Sequence, residues 1–394
     1  MRRALALLVI ALSSTVYAGV SDVVKSEGLT GGIIVHLDCN DARETAKLRV
    51  SKNLTVQGLD TNPKDINAAR KYLSSQGLYG KITANLFDGR RLPYADDLVN
   101  MIVSEGAIQV PESEILRVLR PLGTAYIRGK KIDKPWPKEI DDWGHFLHGP
   151  DNNAVAKDTR VGMPRVLQWV GGQSWARSHE EFSTISIAVS ARGKLFYIVD
   201  KSPQAYISFN SEWTLVARDA FNGHLLWERA IPKWNNHKRE FRSGPAHLPR
   251  RLVAVDDKVY VTLGLDAPLS ELDANTGKTI KQYPDSEWTE EVLAHDGTLY
   301  VLMGSSEINR FGIGLHDEDE PDRRKERFLA AFDAKSGKEL WRRNARGKDF
   351  VLPQGVAVSG GKLFVHDIKG LACLGPETGS QLWIKARLTL HARS

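Results

Sequence analysis

Asp60 directly follows the apolar run Leu54-Thr55-Val56-Gln57-Gly58-Leu59, and Asp88 follows Leu86-Phe87. A carboxylate at the carboxyl end of a buried strand can accept hydrogen bonds from two ribose hydroxyls, and a loop carboxylate further on can address an adenine edge. A second cluster lies in Trp143-Gly144-His145-Phe146-Leu147-His148-Gly149-Pro150-Asp151-Asn152-Asn153. His145 and His148 are spaced to share a helical face and Asp151 offers an oxygen ligand, so metal or acid-base chemistry is conceivable. The alternative is a hydrogen-bonded loop sealing a junction, and a His pair without a third well-spaced ligand favours that alternative; no metal site is expected.

The elements that must position the first group alternate between short apolar runs and helical stretches, the pattern of βαβ units on a parallel sheet. Strands are expected at residues 33–37, 54–59, 98–103 and 124–127, and helices at Pro63–Gln76 and around Ile115–Leu119. Pro63 suits a first helical turn and Gly77 a stop. Pro121-Leu122-Gly123 is expected to turn the chain into the strand that follows. The layout is α/β and doubly wound, with ligands expected at the carboxyl ends of the strands.

Taken with Arg117-Val118-Leu119-Arg120-Pro121-Leu122-Gly123, the order of these motifs over residues 31–127 resembles the class I S-adenosylmethionine-dependent methyltransferases. The resemblance implies a Rossmann-like methyltransferase fold and S-adenosylmethionine as the cofactor, with Asp38, Asn40, Asp60 and Asp88 as the cofactor-binding positions. The family's first strand runs into a Gly-x-Gly-x-Gly loop, and the matching positions here are Asp38, Asn40 and Ala42. Glycine there lets the backbone turn tightly and approach the ligand without a Cβ. Asp38 would also bring a carboxylate close to the cofactor's own methionyl carboxylate. Val103-Ser104-Glu105-Gly106 stands where an amine-methylating member carries an Asn-Pro-Pro-Tyr motif, so no methyl acceptor or catalytic residue is implied.

From residue 166 onward the chain repeats itself. Asp219–Trp227, Asp273–Lys281, Asp333–Trp341 and Gly375–Trp383 follow one template, Asp-Ala-x-x-Gly, three residues, then Trp, each preceded by a β-rich run. In that template the acidic residue and the glycine build a hairpin turn, the glycine takes positive φ, and the following strand places a Trp on the neighbouring blade. Lys281 replaces Trp in the second copy and Gly375 replaces Asp in the fourth, so looser packing is expected there. The acidic and basic run Asp317–Arg327 is read as a solvated loop within an insertion.

These repeats resemble the pyrroloquinoline-quinone-type β-propeller of quinoprotein dehydrogenases and of a bacterial outer-membrane assembly lipoprotein. The resemblance implies an all-β propeller, here an incomplete one of about four blades by this repeat length. Members that bind the quinone often carry adjacent cysteines and about eight blades, whereas Cys39 and Cys373 are far apart and the repeats stop at four. Pyrroloquinoline quinone and dehydrogenase activity are therefore not expected. An open arc exposes blade faces and a strand edge, so either the chain continues in a longer protein or a partner completes it.

Composition narrows the function classes. The chain has 394 residues, 42% hydrophobic and 26% charged, enough apolar material for more than one core. Its net charge of +6 is scattered and forms no basic stripe with aromatics, so nucleic-acid binding is not expected. Met1-Arg2-Arg3, the apolar run Ala4–Val16 and a small-residue site ending at Ala18 form the three parts of a signal peptide. The run is shorter than the roughly 18 residues a permanent span needs, so no integral membrane segment is expected after cleavage. The expected organisation is a signal peptide at 1–18, a methyltransferase-like domain at 19–130, a junction at 131–165 and quinone-type repeats at 166–394. The functional expectation is an exported scaffold, periplasmic or extracellular, that binds a protein partner on the propeller face. A methyltransferase is the alternative and a quinone-dependent oxidoreductase a further one.

Overall fold

The computed structural model describes residues 20–107, 109–163, 167–171, 185–202, 211–232, 234, 248–304, 327–345, 351–367 and 369–386. The signal-peptide expectation and the charged run up to residue 326 lie outside these residues.

The first sheet has six strands, β1 (Gly31–Leu37), β2 (Asn53–Asp60), β3 (Ile82–Leu86), β4 (Val99–Ser104), β5 (Leu119–Ile127) and β6 (Lys130–Asp133). Their spatial order is β3-β2-β1-β4-β5-β6, with all neighbours parallel except β6, which runs antiparallel to β5. Alternate residues of each strand face opposite layers. Ile34, Val56, Ile82 and Met101 pack with α1 (Val20–Ser26), α2 (Arg43–Lys47) and α3 (Pro63–Ser75) on one side. Val35, Leu59 and Ile102 pack on the other with α4 (Glu112–Val118). Burial on both faces is what a parallel sheet requires and explains the continuous apolar runs.

Pro121-Leu122-Gly123 departs from expectation: instead of turning, the chain stays in strand from Leu119 through Ile127. Leu122 takes φ 61 and the register against β4 shifts there, so the irregularity is absorbed as a bulge. Leu122 N–H donates to Lys134 O and Lys134 N–H to Gly123 O, each at 2.9 Å, which ties the bulge to the reversed edge strand.

From residue 185 onward the described residues include four antiparallel four-stranded sheets, at 185–230, 252–282, 289–344 and 351–386. In each template turn the glycine is left-handed, with φ 72, 69, 76 and 64 at Gly223, Gly277, Gly337 and Gly379. The aspartate works as expected: Asp219 Oδ1 accepts the amides of Phe221 and Asn222, and Asp273 Oδ1 those of Asn275 and Thr276. A Cβ on Gly277 would come within 2.6 Å of the Trp227 ring, and one on Gly379 within 2.6 Å of Trp341. The indole N–H of Trp227 also donates across to the next turn, at Ala274 O, and that of Trp341 to Pro376 O, while Trp169, ahead of the first sheet, donates likewise to Ala220 O. Lys281 takes over that hydrogen bond in the second copy, its Nζ donating to Ala334 O at 2.9 Å. The space is less tightly filled there, since a Cβ on Gly337 meets only Lys281 Cδ at 3.4 Å. Gly375 keeps the turn closed by backbone alone, Gly379 N–H donating to its carbonyl.

The first strands of adjacent sheets lie side by side, and residues 143–153 run along them. Ser190 N–H donates to Trp143 O, Ala254 N–H to Gly144 O and Val358 N–H to Pro150 O. Asn152 reaches Val356 O at 2.6 Å and Arg250 at 3.2 Å. One segment thereby satisfies backbone groups on the inner edges of the sheets, which otherwise carry unpaired donors.

The α/β sheet meets the repeats through the amino ends of its strands. Asn100 on β4 donates to Asp219 at 2.7 Å and accepts from Asn222 at 2.7 Å, both buried. Asn53 on β2 donates to Leu226 O, and Thr55 Oγ1 lies 2.9 Å from His224 Nε2. The carboxyl ends, where a ligand of such a sheet sits, are left at the opposite end.

Candidate functional site

The crevice to examine lies between β1 and β4, where the strand order reverses. The loop after β1 holds Asp38, Asn40 and Ala42 at φ 57, 46 and 63. All three non-glycine residues therefore adopt the left-handed conformation that glycine takes most readily. Asn and Asp tolerate it better than Ala, so Ala42, which is fully buried, carries most of the strain.

The Asp38 side chain bridges the crevice. Its Oδ2 accepts from Ser104 Oγ at 2.8 Å, at the end of β4, and a Cβ on Gly106 would overlap its carboxylate. Asp60, 6% exposed, joins the first two loops: Oδ2 accepts the Asn40 amide at 3.1 Å and Oδ1 the Asn62 amide at 3.0 Å. Asn62 in turn caps α3 by accepting from Lys64 N–H, with Pro63 in the first turn. Asn40 Nδ2 donates to Asp38 O. Asp38, Asn40 and Asp60 thus form one connected group. Asp88 is exposed and accepts the amides of Arg90 and Arg91 at 2.8 Å each, which hold its carboxyl below the usual range.

Beneath this group lie two residues whose chemistry burial suppresses. His36 Nδ1 sits 2.8 Å from Thr45 Oγ1, and burial lowers its pKa to about 4, so the ring is neutral at pH 7. Cys39 is buried against Gly58, and burial together with the Asp60 charge pushes its thiol up to about 12. A thiol in that state is no nucleophile near neutral pH. The geometry supports binding through carboxylates and amides. Ser104, Gly106 and Gly58 were not singled out from sequence as site residues. The isolated serine closing the apolar strand Val99–Ser104 was their available signal.

The histidine cluster is not helical. His145 and His148 face each other as a β-bridge, each donating its N–H to the other's carbonyl at 3.2 Å. His145 Nε2 accepts the Ala294 amide at 3.0 Å, and burial lowers its pKa to about 4. His148 Nε2 lies 2.7 Å from Asp141 Oδ2, and Asp151 accepts the Asn153 amide. The two rings therefore point at different partners. Among the described residues no three His, Cys, Asp or Glu side chains are grouped to hold a metal ion.

With this geometry in hand, similarity to known proteins falls on both halves. Residues 325–389 match the family model described as outer membrane protein assembly factor BamB. Methyltransferase GfsG of Streptomyces halstedii is 31% identical over 99 residues, an alignment that covers 24% of this chain and 36% of that protein. The chain joins a methyltransferase-like sheet to repeats of the quinone type. Among solved structures, a Methanococcus maripaludis protein assigned to the S-adenosyl-L-methionine-dependent methyltransferases aligns at TM-score 0.25 and 21% identity, over 27% of this chain and 51% of that one. Geranyl diphosphate methyltransferase aligns at TM-score 0.25 and 13% identity, over 27% and 48%. The [4+2]-cyclase SpnF aligns at 0.25 and 20%, over 27% and 42%.

Proposed function

We propose that the chain is an exported binding scaffold, carried out of the cytoplasm by residues 1–18, whose methyltransferase-like domain supports the repeats rather than catalysing a transfer. The observation that carries this reading is the Asp38 side chain, which lies across the strand crevice on Ser104 and Gly106. A cofactor with its own carboxylate would have to displace it and would meet a like charge. The docking of strand amino ends onto the repeats is consistent with a structural partnership, and the repeat face is the surface proposed for a protein partner.

A second reading, an S-adenosylmethionine-dependent methyltransferase, is favoured by the left-handed backbone kept at Asp38, Asn40 and Ala42. In that reading Asp60 accepts the ribose hydroxyls, Asp88 lies toward the adenine, and the cofactor supplies the methyl group. Calorimetric titration of residues 19–394 with S-adenosylmethionine, beside Asp60→Ala, separates the two. Saturable binding abolished by the substitution would overturn the scaffold reading; silence from folded protein retires the methyltransferase.

A further inference from the structure

Where the sheet meets the repeats, a cavity of about 360 Å³ opens between β4, β5, the loop before β1, and the turns of the first two repeat sheets. Its walls include Arg120 on β5 and Arg192 and Lys194 from the first repeat hairpin. Two carboxylates, Glu27 and Asp273, also line it, with one oxygen of each engaged elsewhere. Glu27 accepts from Tyr126 Oη and Lys131, while Asp273 Oδ1 is closed within its own turn by Asn275 and Thr276. Asn100 is likewise committed, to Ile33, Asp219 and Asn222.

The cations are left with donors in surplus. Lys194 is only 8% exposed, yet its closest carboxylate among the described residues is Asp257 at 4.0 Å, itself largely in solvent. A buried ammonium without a close counter-charge is costly. Arg120 pairs through Nε with Asp219 at 2.9 Å and donates from Nη1 to Pro121 O, and among the described residues Nη2 has no partner. Arg192 hydrogen-bonds Asp142 through its backbone amide, and its guanidinium stands 5.9 Å from the Trp136 ring centroid.

We propose that this cavity binds a small oxyanion-bearing molecule, its phosphate or carboxylate group held by Lys194, Arg192 and the free edge of Arg120. Lys194 supplies the buried point charge, and the guanidinium groups supply planar donors suited to two oxygens at once. The ligand would bridge the sheet and the first repeat, so its binding raises the thermal midpoint of the folded protein.

The test uses residues 19–394, titrated separately with inorganic phosphate and with citrate at constant ionic strength set by sodium chloride, read by calorimetry and thermal melting. Saturable binding of phosphate alone assigns a phosphate group, of citrate alone a carboxylate, and of both the shared oxyanion chemistry. Lys194→Met is expected to weaken the bound anion about tenfold or more, and Arg192→Gln about fivefold, through loss of charge-assisted hydrogen bonds. Arg192 is partly exposed and its backbone bond is kept, so this variant decides the matter if Lys194→Met fails to fold. Absence of saturable binding to folded protein at about 10 mM of either anion overturns the proposal. Undiminished affinity in Arg192→Gln overturns it equally.

Discussion

Asn100 and Asp219 stand 119 residues apart in sequence and 2.7 Å apart in space, joined by a buried bond from the amide of a parallel strand to the carboxylate of a repeat turn. Asn100 Oδ1 also accepts the Ile33 amide at 2.8 Å and Asn222 Nδ2 at 2.7 Å. One side chain thus connects β1, β4 and the first template turn.

Replacing Asn100 by Leu strands the Ile33 amide in a dry interface and takes one partner each from Asp219, which keeps Arg120, and Asn222, which keeps Leu98 O. The expected loss is about 2–4 kcal/mol, from unsatisfied buried polar groups. Urea denaturation of the variant beside the wild type measures it. A loss of under about 0.5 kcal/mol would show that water reaches the interface.

The template glycines should not be equivalent. Gly277→Ala places a methyl 2.6 Å from the Trp227 ring at φ 69, whereas Gly337→Ala at φ 76 meets only the flexible Lys281 stem. Both pay the left-handed penalty of about 1–2 kcal/mol, but only the first adds overpacking of about 1–3 kcal/mol. Thermal melting of the two variants should rank Gly277→Ala clearly below Gly337→Ala. Equal midpoints would mean that the indole moves aside freely.

Acid should weaken the fold through its buried imidazoles. His36 and His145 are held at about 4 by burial, against 6.5 for a free ring, so the unfolded chain binds more protons between these values. Their stabilising contribution is complete above pH 6.5 and is lost as pH falls toward 4, about 2 kcal/mol each by pH 5. His145→Gln, which retains an acceptor for the Ala294 amide, should flatten the decline in the urea midpoint between pH 7 and pH 5. An unchanged slope would remove His145 from this account.

The pair of Arg250 and Glu291 is buried, at 5% and 2% exposure, and is also linked to Asn152 of the segment 143–153. Arg250→Met leaves Glu291, whose carboxyl burial already pushes above its usual range, without that partner, for an expected loss of about 3–5 kcal/mol. Arg250→Met combined with Glu291→Met should recover most of that loss, because it removes both charges together. A double variant as unstable as the single one would assign the cost to Asn152 and packing instead.

Much of the fold was legible because its signals are local. The runs at Ile33–Leu37 and Leu54–Leu59 became β1 and β2, and Pro63 began α3, since apolar period and capping chemistry act within a few residues. The template turn was equally readable, because Asp and Gly act within the turn itself and the recurrence of the Trp shows where each repeat meets the next. β3 and β6 were not read as strands: Ile82–Leu86 mixes polar and apolar residues, and Lys130–Asp133 is a polar edge whose partner is supplied by β5. The junction segment from Trp143 to Asn153 appeared as a histidine-rich loop, with nothing in its own order to place it along the first strands of the four sheets.

The sequence by itself determined the apolar strands β1 and β2, the start of α3, the template turns of the repeats, and that Asp38, Asn40 and Ala42 stand where the resembling family has glycines. Tertiary structure decided that the loop keeps the glycine backbone and that Asp38 bridges to Ser104. It also decided that Asn100 meets Asp219 and that Lys194 is buried beside two arginines. The division has a physical cause. Backbone propensity and turn chemistry depend on adjacent residues, whereas the partner of a buried polar group is fixed only when distant elements exclude water together.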